Sequence, residues 1–188
     1  MRCGRQYGRV PIRRLRPDEA GACAEIVLSL PDYFTDDVPD KVREGFAAHE
    51  AWGLTDPGAG AAPDPGAGGG APVQEDRVVG FAIVERRSAR AAEITWMAVG
   101  REWRGAGRGT RLLERVLDGL AAEGVSLVEV KTLDGSAGYA PYEATRAFWE
   151  RRGFVQIDTI DPLPGWQPGN PAAICVAALR PTAAAGSG

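Results

Sequence analysis

Three glycines at alternate positions in the segment REWRGAGRGTRLL (101–113) mark a place where this chain could bind an anion. The apolar periodicity that follows predicts a helix, whose first N–H groups lack intrahelical partners and carry partial positive charge. Gly105, Gly107 and Gly109 leave room for a phosphate to approach those groups. Arg104 and Arg108 supply charge that pairs with phosphate. The segment therefore predicts a pyrophosphate site.

Two other phosphate motifs compete for this segment. A P-loop needs a lysine after its last glycine, but here Gly109 is followed directly by Thr110, which excludes the usual form. The dinucleotide fingerprint needs G-x-G-x-x-G, whereas residues 105–109 read G-x-G-x-G. Glu129 does lie about twenty residues further on, where a ribose-binding acid is expected. The strands that precede the loop look antiparallel, however, so a nucleotide-binding oxidoreductase is the lesser alternative.

The elements that would position this loop follow from periodicity and turn residues. They predict the order β-α-α-β-β-β-α-β-α-β-β, a mixed α+β fold. A short strand is followed by a helix that opens near Pro17 and Asp18. Further helices are predicted at 38–48, 109–124 and 141–154, and strands at 51–54, 77–87, 92–99 and 125–133, with two final strands in VQIDTI and PAAICVAAL.

Length and composition indicate one soluble domain. A chain of 188 residues with 44% hydrophobic residues can bury a single core. Residues 56–72 are rich in Gly, Pro and Ala and predict a flexible loop between two strands, with a linker between two domains as the lesser alternative. Residues 181–188 predict a disordered tail.

The net charge and the rare residue types exclude several classes. A net charge of −3 gives no support for nucleic-acid binding through bulk charge. Three widely spaced cysteines and one histidine form neither a disulfide framework nor a metal site. No signal peptide or membrane span is apparent, so we expect a cytoplasmic protein with no membrane partner.

The loop and its surroundings resemble the GNAT superfamily of acyl-CoA N-acyltransferases. Residues 104–109 match that family's Arg/Gln-x-x-Gly-x-Gly/Ala loop. AEITWMAVGREWRGAGRGTRLLERVL looks like its central strand, loop and helix, and YEATRAFWERRGF resembles its second conserved segment. The resemblance covers about 77–154. It implies a single GNAT-like domain over 1–180, with a central mixed, mostly antiparallel sheet of six or seven strands flanked by about four helices.

The resemblance also implies acetyl-CoA as cosubstrate, with no metal. In such enzymes the central strand's backbone pairs with pantetheine, the loop amides hold pyrophosphate, and a backbone N–H near Val99 polarises the acyl carbonyl. An amine attacks directly in a ternary complex, so no cysteine nucleophile is needed. The implied cofactor residues are Met97, Ala98, Val99, Arg104, Gly105, Ala106, Gly107, Arg108, Gly109 and Thr110, with Phe148 as either a cofactor wall or a core residue.

Two side chains are candidates for proton transfer. Glu93 lies on the central strand where some family members carry a catalytic carboxylate, and strict alternation puts it on the face of Thr95 and Met97. The alternative for Glu93 is an ordinary solvent-facing glutamate at a strand end. The family's usual acid, a tyrosine, is replaced here by Trp149, so Tyr142 is the candidate substitute; its alternative is an anchor for the helix start.

The predicted function is an acetyl-CoA-dependent N-acetyltransferase acting on a primary amine of a small molecule or a protein. The alternative is a non-catalytic acyl-CoA-binding sensor, which Trp149 favours. His49 and Trp52 are weaker candidates for an acceptor pocket. The acidic run PDYFTDDVPD (31–40) could attract a cationic amine or be a solvated loop. The family resemblance also makes a homodimer through the last strands possible.

Overall fold

Seven strands form one mixed sheet in the computed structural model, which describes residues 10–57 and 76–180. The strands are β1 (Ile12–Arg14), β2 (Glu50–Asp56), β3 (Arg77–Arg86), β4 (Ala91–Val99), β5 (Leu127–Leu133), β6 (Val155–Ile160) and β7 (Ala172–Ala178). The helices are α1 (Ala20–Leu28), α2 (Val38–Ala48), α3 (Arg108–Ala122) and α4 (Glu143–Glu150). The predicted element order and the mixed α+β class are confirmed.

The sheet is mostly antiparallel, as expected. Its strand order is β1-β2-β3-β4-β5-β7-β6, and among the described strands β4 and β5 are the parallel pair. A parallel pair needs a crossover connection, and α3 supplies it. The glycine loop connects β4 to α3 and therefore lies at the carboxyl end of β4.

The strands on either side of the predicted flexible loop are neighbours in this sheet, because Asp56 of β2 is paired with Arg77 of β3. Residues 58–75 and the tail 181–188 lie outside the described residues. Their flexibility and disorder therefore stay predictions.

Helices cover both faces of the sheet, and β3 shows why. Its apolar run VVGFAIV (78–84) is buried on both sides, which is typical of a central strand. Phe81 and Ile83 pack with α1 and α2, whereas Ala82 and Val84 pack with α3 and α4. These two sides are called the α1/α2 face and the α3/α4 face below.

The helix ends follow local backbone chemistry. Gly124, with φ of +85°, follows the end of α3 as the sequence predicted. The last helix is shorter than its predicted span of 141–154, because residues 140–142 form a 3₁₀ turn before α4 and Gly153 turns the chain after it with φ of +81°. Helix boundaries commonly differ in this way at the first and last turn.

The parallel pairing is short, and this opens the sheet beside the glycine loop. Among residues 10–57 and 76–180, strand β4 pairs with β5 only from Ala91 to Ile94, and the rest of β5 pairs with β7 alone. A bulge lies at Thr95, since Ile94 is paired with Val84 and Trp96 with Ile83. A bulge adds an unpaired residue and bends its strand. The last residues of β4 consequently have a free edge on the β5 side.

No helix among residues 10–57 and 76–180 combines the length and the hydropathy needed to span a bilayer.

Candidate active site

The loop before α3 has a backbone conformation that favours glycine. Gly105, Ala106 and Gly107 are consecutive left-handed residues, with φ of +82°, +47° and +71°. Ala106 is the one non-glycine residue with positive φ in the described part of the chain. Such a conformation costs about 1–3 kcal/mol for a residue with a Cβ atom, and strain of this kind gathers at ligand sites. A Cβ atom built on Gly105 or Gly107 would meet no protein atom within 4 Å.

This loop presents five backbone donors. Within the described residues, no hydrogen bond is made by the N–H groups of Gly105, Ala106, Gly107, Gly109 and Thr110. The N–H groups of Arg104 and Arg108 instead bond to the carbonyls of Arg101 and Gly105, both at 3.3 Å. Of the amides predicted for 104–110, these two therefore already have protein acceptors. Five N–H groups at a helix N-terminus suit an anionic ligand.

The two arginines of the motif are held by protein groups. Arg104 Nε donates to the carbonyl of Val99 at 3.1 Å, and its guanidinium lies 4.4 Å from the centre of the Tyr33 ring. Arg108 is buried, and its Nη1 donates to the carbonyl of Trp103 at 3.2 Å. Each of these two guanidinium groups, which the sequence analysis assigned to phosphate, therefore has one nitrogen that donates to a protein carbonyl.

A different arginine, Arg152, lies at the start of α3. Its guanidinium donates to the hydroxyl of Thr110 and, at 2.8 Å, to the carbonyl of Phe148. It also lies 3.8 Å from the centre of the Phe148 ring. Burial, and next the neighbouring Arg151, lowers the pKa of Arg152. The sequence reasoning missed this residue, which follows the end of α4 in the turn before β6.

The free edge of β4 lies beside this loop. Gly100 N–H donates to the carbonyl of Val79 on β3 at 2.9 Å. Because alternate residues of an antiparallel strand direct their hydrogen-bonding groups to opposite edges, Ala98 also faces β3, whereas Met97 and Val99 face the gap toward β5. Of the three predicted pantetheine contacts, Met97 and Val99 have backbone groups at the gap.

Aromatic side chains of α4 flank the same gap. The Phe148 ring would lie 3.5 Å from a Cβ atom on Gly109, and Val99 would lie 3.8 Å from it. Trp149 is buried and packs at 5.0 Å from Phe148 and 5.1 Å from Phe154, measured between ring centres. Phe148 therefore lies at the loop, whereas Trp149 is a core residue.

Glu93 does not lie where strict alternation placed it. Ala92 and Ile94 are buried on the α3/α4 face, so Glu93 points to the α1/α2 face. Met97 packs on the α3/α4 face because the bulge at Thr95 changes the phase of the strand. The expectation that Glu93 shares a face with Met97 is wrong. The alternative of a solvent-facing glutamate is wrong too, since Glu93 is only 5% exposed.

The Glu93 carboxylate is held by two cations. Its Oε2 accepts from Lys131 Nζ at 2.6 Å and lies 3.0 Å from Arg87 Nη2. Its Oε1 makes no hydrogen bond within the described residues. Two like charges flank Glu93, because Glu85 on β3 and Glu129 on β5 are its Cα partners.

Lys131 and Arg87 also neutralise the negative charge of the two neighbouring glutamates. Lys131 Nζ lies 2.8 Å from Glu129, and Arg87 Nη1 donates to Glu85 at 2.8 Å. Burial alone would lower the pKa of Lys131, but its contacts with Glu129 and Glu93 outweigh burial and raise it. Like charges directly opposite each other destabilise a sheet, so this row of glutamates depends on its cations. The sequence reasoning missed Lys131, although its two-residue spacing from Glu129 puts both on one face of β5.

Tyr142 joins the start of α4 to the segment between α1 and α2 (29–37). Its hydroxyl donates to the carbonyl of Tyr33 at 2.5 Å, and the two rings lie 5.6 Å apart. Burial, with smaller effects of Tyr139 and Tyr33, raises the pKa of Tyr142 to about 12. The phenol is therefore protonated at neutral pH, and its proton is engaged by a backbone carbonyl.

The weaker acceptor candidates lie elsewhere. His49 lines a groove of about 430 Å³ with Arg14 and Phe46, at the start of β2. Trp52 is buried on the α3/α4 face, with the Arg14 guanidinium 4.0 Å and that of Arg115 5.1 Å from the centre of its ring system. The structure brings neither residue to the glycine loop.

The acidic run is largely paired. Asp32 lies 3.1 Å from Arg101, Asp37 lies 2.7 Å from Lys41, and Asp40 lies 2.7 Å from Arg43. These exposed pairs neutralise most of its charge, which fits a solvated segment better than an attractor of cationic amines.

Comparison with protein families gives a match at this site. Residues 73–156 match the family model described as "Acetyltransferase (GNAT) domain". The matched range contains β3, β4, the glycine loop, α3, β5 and α4. No curated protein was found to match the sequence.

Solved structures with a similar fold span nearly the whole chain. One is an acetyltransferase of the GNAT family from Desulfovibrio desulfuricans, 20% identical, covering 90% of this chain and 99% of that one with a TM-score of 0.69. Another is the ribosomal-protein-S18-alanine N-acetyltransferase of Escherichia coli, 19% identical, covering 95% and 97% with a TM-score of 0.64. A third is a GNAT acetyltransferase of Elizabethkingia anophelis with acetyl-CoA bound, 15% identical, covering 92% and 99% with a TM-score of 0.58. At these identities the likeness concerns the fold.

Proposed function

We propose that the chain is an acetyl-CoA-dependent N-acetyltransferase whose acceptor is a primary amine of a small molecule or a protein, and the match of residues 73–156 to the GNAT acetyltransferase model supports this proposal. One observation carries the proposal: five N–H groups at the start of α3, which donate to no other residue in the described part of the chain, lie beside the free edge of β4. An anionic cosubstrate with an extended amide-bearing arm suits that combination.

The described residues fit coenzyme A. The N–H groups of 105–107, Gly109 and Thr110 would hold its pyrophosphate, and the open space around Gly105 and Gly107 admits it. The backbone of Met97 would pair with the pantetheine arm as an additional strand does, beside Val99, whose carbonyl already accepts from Arg104. Bound acetyl-CoA would supply the acetyl thioester.

Two groups of the chain would act on the reactants. The Val99 N–H, which faces the gap, would donate to the acyl oxygen as negative charge develops there; one such donor is worth about 3–4 kcal/mol. An amine is mostly protonated at neutral pH, so a base must take its proton. We assign that role to Glu93, at Oε1, because both cations contact Oε2 and fix the carboxylate.

Neither of the two candidate positions, Trp149 and Tyr142, offers a free acid for the leaving thiolate. Trp149 is a core residue, and Tyr142 would have to break its bond to the Tyr33 carbonyl before it could donate elsewhere. A thiol pKa of about 8.5 makes release of the thiolate feasible without a protein acid. The proposed reaction therefore does not require Tyr142, which remains the candidate if an acid is used.

Binding and turnover together test the proposal. Calorimetry with coenzyme A measures binding, and thiol release from acetyl-CoA measures turnover on a panel of small amines and peptides with free N-termini. Binding with turnover on at least one amine supports the enzyme. Tight NADH binding without coenzyme A binding would instead support a nucleotide-binding oxidoreductase.

One observation favours a second function, a non-catalytic acyl-CoA-binding sensor. The position at which the family carries its acid is a buried tryptophan here, and the nearby phenol is engaged. Coenzyme A binding without turnover on any amine of the panel would support this function.

A further inference from the structure

The segment between α1 and α2 (29–37) is attached to the glycine loop by two arginines. Arg104 lies over the Tyr33 ring at 4.4 Å, and Arg101 Nη2 donates to Asp32 at 3.1 Å. Both arginines belong to the short stretch that connects β4 to α3. Tyr142 adds a third contact, from the start of α4 to the Tyr33 carbonyl.

Of these three residues, Arg104 is the one that contacts the free edge of β4. Its Nε donates to the Val99 carbonyl at 3.1 Å, and that carbonyl belongs to a residue facing the gap. A single guanidinium thus donates to the edge of β4 and also lies over the Tyr33 ring. Arginine can make both contacts at once, whereas lysine offers only a point charge.

The contacts of Arg104 differ from those expected of an arginine that binds phosphate. A phosphate-binding arginine would direct its N–H groups into the space in front of the loop amides, but the Nε of Arg104 donates to the Val99 carbonyl and its guanidinium lies over the Tyr33 ring. The five free N–H groups already supply donors for a pyrophosphate. The contacts of Arg104 connect two parts of the protein instead.

We propose that Arg104 is a positioning residue that couples the coenzyme A site to the α1–α2 segment through Tyr33. The inference rests on the proposed function, because it assigns the gap beside Val99 to coenzyme A. Occupation of the gap and the position of Tyr33 influence each other through this one side chain. The segment lies on the α1/α2 face, where Phe34 packs 6.3 Å from Trp96 and where Glu93 also points. The acceptor would therefore meet a surface whose order depends on the cosubstrate.

A double-mutant cycle on coenzyme A affinity tests the coupling. The variants are Arg104→Gln, Tyr33→Leu and the double variant, each titrated with coenzyme A by calorimetry. We expect each single variant to change the dissociation constant, and the double variant to differ from the additive value by about two- to fivefold, as expected for an exposed cation–π contact. Tyr139→Leu is the matched control, because that ring touches Tyr142 but not Arg104, and it should show no coupling.

Hydrogen exchange provides a readout that needs no ligand. In the ligand-free protein, Arg104→Gln should increase amide exchange in 29–37, and Arg104→Lys should do the same because it loses both the stack and the Nε donor. Additive effects in the cycle, with salt-dependent weakening in Arg104→Gln alone, would overturn the proposal and return Arg104 to phosphate binding. Unchanged exchange in both variants would also overturn it. If the wild-type chain bound no coenzyme A, the proposed function and the coupling would fail together, while the exchange data would still show whether Arg104 holds the segment.

Discussion

At the scale of single residues, the cofactor loop combines backbone strain with unbonded donors. Ala106 is held at φ of +47° although it carries a Cβ atom, and the N–H groups around it have no protein acceptor within the described chain. Neither feature contributes to folding. Both are explained if a bound anion satisfies the donors, because ligand binding then offsets the cost of the conformation.

Gly107→Val should abolish coenzyme A binding and leave the fold intact. The added side chain meets no protein atom near its Cβ, so it would occupy space that the pyrophosphate needs. Calorimetry measures the binding. Gly124→Val is the matched control: it has a similar φ of +85° and an equally open Cβ position at the end of α3, so it carries similar strain without blocking the ligand. Equal coenzyme A affinity in Gly107→Val and the wild type would remove the basis of the proposed function.

Glu93→Gln should lower kcat by about 10²–10⁴-fold, because the glutamine cannot take a proton from the amine. The acid limb of the kcat–pH profile should change as well, and coenzyme A affinity should not. Steady-state kinetics over a pH series provide the measurement. Glu129→Gln is a matched control, since it also removes a carboxylate partner of Lys131. Wild-type kinetics in Glu93→Gln would leave that residue a structural role, as the buried partner of two cations.

At the scale of elements, close packing fixes how α3 lies on the sheet. Its apolar side is formed by Leu112, Leu113, Val116 and Leu120, as its periodicity predicts. Gly119 lies directly on the buried Trp52 of β2, which explains a glycine within an otherwise favourable helix. The depth at which α3 packs in turn sets where its N-terminus lies relative to β4.

Gly119→Ala should therefore lower the free energy of unfolding by about 1–2 kcal/mol. Its Cβ would lie 2.9 Å from the Trp52 ring, and overpacking of this kind outweighs the gain in helix propensity. Gly21→Ala in α1 meets no atom within 4 Å, so it should leave stability unchanged or raise it slightly. Denaturant unfolding compares the two. A Gly119→Ala variant as stable as Gly21→Ala would contradict the packing argument.

Asp134 links the end of β5 to β6, and its contribution should depend on pH. It accepts from Ser136 and, at 2.7 Å, from Gln156, and these hydrogen bonds lower its pKa from 3.8 to about 2. A lowered pKa means that the stabilisation is present above pH 3.8 and is lost as the pH falls toward 2. Asp134→Asn should thus be about 1–2 kcal/mol less stable at neutral pH, with a difference that shrinks in this acid range. A difference that stays constant from pH 7 to pH 2 would refute the assignment.

Which elements form was predictable from the sequence, but their register and side-chain partners were not. Val38–Ala48 and the β3–β4 hairpin carry local signals in periodicity and turn residues, so their spans were foreseen. The bulge at Thr95 has no such signal, because it depends on pairing with β3. Contacts such as Arg104 with Tyr33 join residues far apart in sequence, and only the folded chain brings them together.

At the scale of the whole molecule, the sheet separates two tasks. Its α3/α4 face carries the loop and the aromatic residues expected to hold coenzyme A, whereas its α1/α2 face carries Glu93 and the segment containing Tyr33. The gap between β4 and β5 opens the sheet between these two faces. The loop motif predicted the first side from sequence, since its donors are backbone groups; the second depends on side chains that no motif specifies.

Coenzyme A should stabilise the whole molecule through this gap. At a concentration of one hundred times its dissociation constant, the free energy of unfolding should rise by about 2.7 kcal/mol. Thermal unfolding with and without coenzyme A measures the effect. Gly107→Val should show no increase, and an equal increase in that variant would place the ligand elsewhere.

The bulge at Thr95 has a consequence for building chimaeras of this domain. It divides β4 into two parts that are out of step by one residue, so that Glu93 and Met97 point to opposite faces although their spacing is even. A transplanted strand of the same length but without the bulge would keep one part in phase and invert the other. The inverted part would bury polar groups or expose apolar ones. Exchange of this strand between relatives should therefore preserve the extra residue as well as the motif that follows it.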